Sequence, residues 1–152
     1  NFSWKGLQVY GLLDMWVGGN VYNSLKQRLY QWYRSADEDQ VGKPEELKKP
    51  VRYYDELYNG NNENDYFVED GGFLKLRELS VKYRFGAERL GPLSRFGTRG
   101  ISVGLIGRNL FTITDYSGYD PEILDEDNAT VRREGFVYPN FRTFTGTIEI
   151  EF

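Results

Sequence analysis

The chain has 152 residues, which is enough for one ordinary domain, and its formal net charge is −4. It contains neither cysteine nor histidine, so disulfides, thiol catalysis, Ser-His-Asp triads and the usual zinc sites are excluded. The negative charge gives no electrostatic support for binding nucleic acid. No apolar run approaches the roughly 20 residues that a membrane-spanning helix needs. The sequence begins with Asn1 rather than Met, so we expect it to be a piece of a longer protein.

Four stretches of the sequence alternate between apolar and polar residues with a period of two, which is typical of β-strands. They lie at about residues 2–16, 73–85, 100–113 and 141–152. Leu74 and Leu76 have the opposite parity from Leu79, so we expect a β-bulge near Arg77 or Glu78. The pattern predicts an all-β arrangement of antiparallel strands.

The connections between these predicted strands differ greatly in length. Residues 17–72 and 114–140 form two long connections, whereas 86–99 form a shorter one that is rich in Gly and Pro. Residues 20–34 have apolar side chains at helical spacing, so a short amphipathic helix is expected there. A long, short, long order is typical of a transmembrane barrel, in which one rim carries extended loops and the other carries tight turns.

Aromatic residues cluster near the ends of the predicted strands. One rim would carry Phe2, Trp4, Tyr83, Phe85 and Phe152, and the other Trp16, Phe73, Phe111 and Phe141. Two aromatic girdles are favoured at the interfaces of a bilayer. A soluble antiparallel sandwich also shows alternation and aromatic residues, so the pattern alone leaves open a soluble β-rich module that binds glycans or proteins.

Three ordered motifs resemble the C-terminal end of SusC/RagA-type TonB-dependent outer-membrane transporters. They are FVEDGGFLKLRELSVKYRF (67–85), ISVGLIGRNLFTITDYSGYDPEI (101–123) and YPNFRTFTGTIEIEF (138–152). The beginning, FSWKGLQVYGLLDMWVGGNVYN (2–23), is similar to the strand and loop that precede these motifs in the family. The resemblance implies that the chain supplies the last four antiparallel strands of a plugged transmembrane barrel of about 22 strands.

The resemblance also implies a topology and a direction for each face. Connections 17–72 and 114–140 would be extracellular loops, and 86–99 would be a periplasmic turn. We expect one set of side chains to face outer-membrane lipid: Leu79, Val81, Leu105 and Ile148. We expect another set to line the wet lumen: Ser80, Lys82, Ser102 and Thr147.

The function implied by the resemblance is that of a nutrient importer in the outer membrane of a Gram-negative bacterium, not of an enzyme. Its cargo would be oligosaccharides or, less often, peptides, moved with energy from TonB–ExbB–ExbD and with a SusD-like surface lipoprotein as lid. The plug and the TonB box are absent from this chain, and no cofactor or metal is implied. The terminal Phe152, with Ile150 and Ile148 on the same face, is similar to the signal read by the barrel-assembly machinery.

The segment DYSGYDPEI (115–123) is the most distinctive part of the long connections. Tyr116 and Tyr119 could stack on sugar rings or peptide side chains, or could pack a rigid turn, and we expect both to be at least half buried. Gly118 is expected to supply a backbone geometry closed to β-branched residues, and Asp120 to accept local backbone N–H bonds. The full set of candidates for ligand or lid contact combines these residues with aromatic residues of connection 17–72: Tyr116, Tyr119, Asp120, Trp32, Tyr33, Tyr53, Tyr54 and Tyr58.

Acidic residues are abundant in connection 114–140, with seven acids against two arginines. Asp120 and Glu122 could be read as the carboxylate pair of a glycan-cleaving enzyme, but neighbouring acids are equally close, so nothing singles out this pair. Asp125 and Asp127 resemble a calcium loop only weakly, because the required Gly and bidentate Glu are missing. The acidic composition instead argues against polyanionic cargo.

Overall fold

The structure is a computed structural model that describes residues 1–57, 64–122 and 132–152. The chain divides into two compact units. The first unit comprises Asn1–Met15, Leu74–Ile113 and Asn140–Phe152, and the second comprises Trp16–Phe73 and Thr114–Pro139. Among the described residues, no helix is both long enough and apolar enough to cross a membrane.

The regular elements are mostly strands. In chain order they are β1 (Phe2–Trp4), β2 (Leu7–Trp16), β3 (Asn20–Tyr22), α1 (Ser24–Gln31), α2 (Val51–Leu57), β4 (Val68–Asp70), β5 (Phe73–Gly86), β6 (Gly100–Ile113) and β7 (Thr143–Glu151). A five-stranded sheet has the order β1-β2-β5-β6-β7, and β3 pairs with β4 in a separate two-stranded sheet. Short 3-10 helices occupy parts of the connections, including two between β5 and β6.

The strand predicted at about 2–16 is instead a tight hairpin of two strands. Lys5 and Gly6 have φ of 45° and 91°, and positive φ at both central residues is the geometry of a type I′ turn. This turn pairs Trp4 with Leu7 across β1 and β2. Among the described residues this sheet therefore has five strands rather than the predicted four. The turn lacks the usual Asn-Gly or Asp-Gly sequence, which is why the pattern concealed it.

The other three predicted strands agree with β5, β6 and β7 to within two residues at each end. The register between β5 and β6 shifts between Leu76 and Glu78, which confirms the predicted bulge. Antiparallel pairing joins β5 to β6 and β6 to β7. Gly6 O accepts a hydrogen bond from Arg84 N at 2.9 Å, and Asp14 pairs with Arg77 at 2.6 Å, so β2 and β5 also run in opposite directions.

One face of the five-stranded sheet is apolar and exposed within this chain. The register sets Val81 opposite Leu105, and Val103 opposite Ile148. Leu105 is 58% exposed and Ile148 is 74% exposed. Leu79, Ile150 and Phe152 are exposed as well. The sheet therefore turns an apolar surface outward, which is the opposite of a sheet that packs its apolar face into a core.

The opposite face of the same sheet is polar, and its charges are paired. Lys82 Nζ lies 2.6 Å from Glu149 Oε2, and Arg84 Nη2 lies 2.6 Å from Glu151 Oε2. Arg108 Nε lies 2.8 Å from Glu78 Oε2. Ser102 is buried on this face, opposite Arg84 and Glu149. The predicted division between the two sets of side chains thus matches the observed register.

The second unit has its own small aromatic core rather than being an unstructured loop. The core consists of Tyr22, Tyr30, Tyr54 and Phe67. The rings of Tyr30 and Phe67 meet edge to face at a centroid distance of 5.6 Å. The Tyr30 hydroxyl donates to Asp37 at 2.6 Å, which satisfies a phenol that would otherwise be buried without a partner.

The predicted helix within 20–34 is present but shorter. It is α1, which begins after Asn23, since the Asn23 side chain accepts a hydrogen bond from Lys26 N at 2.8 Å. An Asn at this position caps the free N–H groups of the first turn. The residues before it belong to β3, which pairs Val21 with Glu69 of β4. The helix N-terminus and the β3–β4 ladder thereby become neighbours.

Candidate functional site

A polar cluster in the second unit holds the segment 114–120 in place. Glu69 on β4 accepts two hydrogen bonds from Ser117, one from its backbone N–H and one from its hydroxyl, both at 2.7 Å. Asn23 donates to the Ser117 hydroxyl at 3.2 Å. Lys26 lies 3.0 Å from the Glu69 carboxylate. Residues that are distant in sequence are thus joined by one carboxylate.

The Glu69 carboxylate is stabilised in its charged form. Burial pushes its pKa upward, but the two hydrogen bonds from Ser117 and the neighbouring Lys26 ammonium outweigh burial, so the net shift lowers the pKa. Charge-assisted hydrogen bonds of this kind are about twice as strong as neutral ones. Glu69 is therefore an anionic anchor for the backbone at Ser117.

A second buried contact fixes the neighbouring tyrosine. The Tyr116 hydroxyl donates to Glu134 at 2.6 Å, and both side chains are buried. Burial raises the pKa of Glu134 and the nearby Glu69 charge adds to this, although hydrogen bonds from Tyr116 and the Leu25 backbone oppose it. Burial also raises the pKa of Tyr116, so the phenol remains a hydrogen-bond donor.

Gly118 is required by close packing rather than by an unusual backbone angle. Its φ is not among the positive values found in the chain, so the expectation of a special backbone geometry is wrong. A Cβ built on Gly118 would lie 2.6 Å from the Cζ atom of Tyr116. The absent side chain is what lets the Tyr116 ring fold back against its own segment.

An open pocket of about 430 Å³ lies beside this cluster, within the second unit. Its lining residues are mainly apolar or aromatic: Leu25, Tyr119, Glu134, Phe136, Val137, Tyr138 and Pro139. Phe136, Val137 and Tyr138 are exposed, whereas Glu134 is buried at the wall. Among the described residues, the pocket combines apolar walls with the carboxyl group of Glu134, a composition that is common in sites for small ligands.

The two tyrosines of the DYSGYD segment have different environments. Tyr116 is buried, as expected, whereas Tyr119 is 72% exposed, so the expectation that Tyr119 would be half buried is not met within this chain. Asp120 is buried, and its Oδ1 accepts the Glu122 backbone N–H at 3.0 Å. This is the turn role expected of Asp120.

The aromatic candidates in the first long connection also differ in their exposure. Tyr54 is part of the aromatic core and donates to Asp37 O at 3.0 Å, so its side chain packs inside the second unit, and the contact role expected for it stays a prediction. Trp32, Tyr33 and Tyr53 are exposed, and Tyr33 donates to Asp55. Tyr58, Asp125 and Asp127 lie outside the described residues.

Sequence reasoning missed the residues that build the site. Glu69 and Ser117 are 48 positions apart, and Tyr116 and Glu134 are 18 apart, so no local spacing could indicate either contact. The Asn23 cap was accessible, because Asn directly before a helical pattern is a known start signal. Phe136 and Val137 gave no signal, because an exposed apolar residue outside a regular element has no period to reveal its partners.

Comparisons with known proteins identify similar chains. No protein-family model matches the chain. It is 27% identical over 149 residues to the TonB-dependent receptor P3 of Formosa agariphila, a match that covers 94% of this chain and 13% of that protein. It is 27% identical over 101 residues to the TonB-dependent receptor P39 of the same organism, covering 64% of this chain and 10% of that protein. The chain thus spans only about an eighth of the length of these relatives, or less.

Solved structures give a matching fold. The structure of the RagAB peptide transporter aligns with a TM-score of 0.66 at 23% identity, over 97% of this chain and 16% of that one. The RagAB peptide importer in its closed-closed state aligns with a TM-score of 0.65 at 24% identity, over 97% and 16%. The resemblance to SusC/RagA-type TonB-dependent transporters is thereby confirmed. The predicted fold class, antiparallel strands from a larger barrel, is confirmed as well.

Proposed function

We propose that the first unit is part of the wall of a transmembrane β-barrel, and that the whole protein is an active importer in the outer membrane of a Gram-negative bacterium. The second unit contributes to the extracellular side, where cargo and a lid protein bind. The relatives are named receptors and transporters rather than enzymes, which supports an import role over a catalytic one.

The observation that carries this proposal is the inverted sheet of the first unit. Leu105 and Ile148 are exposed on an apolar face, while Lys82 and Arg84 are paired with carboxylates on the other face. A soluble β-rich module would bury the apolar face in a core. In a barrel the apolar face meets lipid and the polar face meets a water-filled lumen, so both faces have a suitable solvent.

Chain connectivity supports the assignment of the extracellular side. The two segments of the second unit connect β2 to β5 and β6 to β7. In such barrels the long loops are extracellular and the short turns are periplasmic. The connection between β5 and β6 is shorter than these two segments, so it is assigned to the periplasm.

The cargo is an oligosaccharide or a peptide, and import is driven through TonB–ExbB–ExbD with a SusD-like surface lipoprotein as lid. Relatives named TonB-dependent receptor support the energy source. The match to the RagAB peptide transporter supports a peptide as one of the two candidate cargoes. The parts that would contact TonB lie in the remainder of the protein, because the chain spans a small share of these relatives.

Uptake by cells that express the full-length protein tests this function. Fluorescently labelled oligosaccharides and peptides are supplied to cells with and without TonB, and the labelled cargo inside the cell is measured. We expect uptake of one of the two cargo classes that depends on both the importer and TonB. Recovery of the protein in the soluble fraction, or uptake that is equal without it, would refute the proposal.

A further inference from the structure

Three parts of the first unit meet at one end of the five-stranded sheet. Gly86 of β5 pairs with Gly100 of β6, and Gly100 pairs in turn with Glu151 of β7. The hairpin between β1 and β2 lies beside them, because Gly6 O accepts a hydrogen bond from Arg84 N at 2.9 Å. We call this region the turn end of the sheet, and it comprises residues 4–6, 84–100 and 151–152.

The turn end is basic, although the chain as a whole has a net charge of −4. Its charged side chains are five basic ones and two acidic ones: Lys5, Arg84, Arg89, Arg95 and Arg99 against Glu88 and Glu151. Arg84 and Glu151 neutralise each other through two hydrogen bonds, of 2.6 and 3.0 Å. The remaining side chains therefore give the turn end a net positive charge.

The positive charges of the connection between β5 and β6 are available to a ligand. Arg95 and Arg99 are exposed, and neither forms a salt bridge with any residue that the structure describes. Arg89 is held by a neutral group, because its guanidinium donates to the Tyr83 hydroxyl and lies 5.8 Å from the centre of that ring. A group of cations without carboxylate partners is complementary to an anion.

Exposed aromatic residues lie among these cations. Phe96 is 80% exposed, and Trp4 is 59% exposed with Lys5 Nζ 5.1 Å from the centre of its ring. The apolar face of the sheet reaches the turn end at Phe85, which pairs with Ile101. The cations thus lie at the boundary of an apolar surface. Aromatic and basic side chains together are typical of the interface between a bilayer and water.

An anionic phospholipid supplies both a negative charge and an apolar part at such a boundary. We propose that the turn end binds the headgroup phosphate of an anionic phospholipid in the periplasmic leaflet, with Arg95 and Arg99 beside the phosphate and Phe96 among the acyl chains. This inference rests on the proposed barrel, which assigns the connection between β5 and β6 to the periplasm. Each Lys or Arg near a membrane surface favours anionic lipid by about fivefold.

Photocrosslinking of the full-length transporter tests the proposal. The protein is reconstituted in phosphatidylcholine vesicles that contain a trace of photoactivatable phosphatidylglycerol or of photoactivatable phosphatidylcholine, with the reactive group at the same place on the acyl chain. Mass spectrometry measures crosslinks in peptides that cover 86–99. We expect the ratio of phosphatidylglycerol to phosphatidylcholine crosslinks to be at least about 20. In 1 M NaCl the ratio should fall, because the Debye length is about 3 Å, and an unchanged ratio would overturn the proposal.

Matched variants assign the preference to particular cations. Arg95→Gln and Arg99→Gln should each lower the ratio by about fivefold. Arg108→Gln is the control, because it removes the same charge from the polar face of the same sheet, about 26 Å along β6 from Gly100. Arg108 is also paired with Glu78 at 2.8 Å, so its loss should leave the ratio unchanged. Equal ratios in Arg95→Gln and Arg108→Gln would overturn the proposal.

Other outcomes separate the headgroup site from its alternatives. Equal crosslinking by the two lipids would overturn the site but leave the barrel standing, whereas no crosslink from either lipid would also refute the proposed barrel topology. A ratio that sodium phosphate lowers far more than sodium chloride of equal ionic strength would assign the cations to free phosphate. In cells, a photoreactive phenylalanine analogue at exposed Ala87 that crosslinks mainly to a protein would assign them to a protein partner. Either assignment would overturn the proposal.

Discussion

Replacing Gly118 by alanine should detach the segment 114–120 from the second unit. The added methyl carbon would lie 2.6 Å from Cζ of Tyr116, where ordinary van der Waals contact begins at 3.4 Å. The Tyr116 ring cannot retreat easily, because it is buried and its hydroxyl is bonded to Glu134 at 2.6 Å. Overpacking costs about 1–3 kcal/mol, and loss of the buried hydrogen bond costs about 1–3 kcal/mol more.

We therefore expect the free energy of local opening to fall by about 2–6 kcal/mol. Hydrogen exchange of the full-length transporter, followed by mass spectrometry, measures this opening in peptides that cover 114–122. Exchange should accelerate by about 30-fold or more, since each 1.4 kcal/mol is a factor of ten. Gly11→Ala is the control, because a Cβ at Gly11 meets nothing within 4 Å. Wild-type exchange in Gly118→Ala would refute the packing argument.

Three further substitutions test other parts of the structure. Because folding raises the pKa of Glu134 above the unfolded value of about 4.5, the second unit should lose stability as the pH rises above that value. Proteolysis at about pH 5 and pH 8 measures this loss, which should be smaller in Glu134→Gln. The same pH dependence in the variant and the wild type would contradict the role of Glu134. Tyr54→Ala should lower the free energy of unfolding by about 3–5 kcal/mol, because Tyr54 is in the aromatic core, whereas Tyr53→Ala, at an exposed residue, should lower it little. Equal thermal stabilities of the two variants would contradict the assignment of Tyr54 to the core. In lipid, Leu105→Arg should lower the free energy of unfolding by about 2–4 kcal/mol, whereas Thr147→Arg should lower it little. Urea unfolding in vesicles measures both changes, and equal changes would contradict the assignment of the two faces.

The strands of the first unit were predictable because their signal is local. Alternation along 73–85 and 100–113 fixes which side chains share a face, and the change of parity between Leu76 and Leu79 located the bulge. The hairpin at Lys5 and Gly6 was not predictable from the usual dipeptides. The geometry of this hairpin requires a positive φ at both residues, which Gly adopts readily but Lys seldom does.

Helix α1, the burial of Tyr116 and the turn role of Asp120 were predicted in the second unit, but the rest of this unit was not predictable, because its structure depends on contacts between distant residues. Adjacent tyrosines at 53 and 54 have opposite environments, one exposed and one in the core. Composition cannot distinguish them, and the helix that carries both is only seven residues long, too short for a clear period. The contact of Glu69 with Ser117 crosses 48 positions. The resemblance to a transporter family indicated that the segment matters but not which atoms hold it.

The central claim is that one face of the sheet meets lipid and the other meets water. Spin labels on single cysteines, introduced into a full-length transporter from which any other cysteine has been removed and studied in lipid vesicles, test this most directly; this chain itself contains no cysteine. Labels at Val81, Leu105 and Ile148 should collide preferentially with oxygen, which concentrates in lipid. Labels at Ser80 and Thr147 should collide preferentially with a water-soluble nickel complex. Similar accessibility at both sets, or the reverse pattern, would contradict the claim.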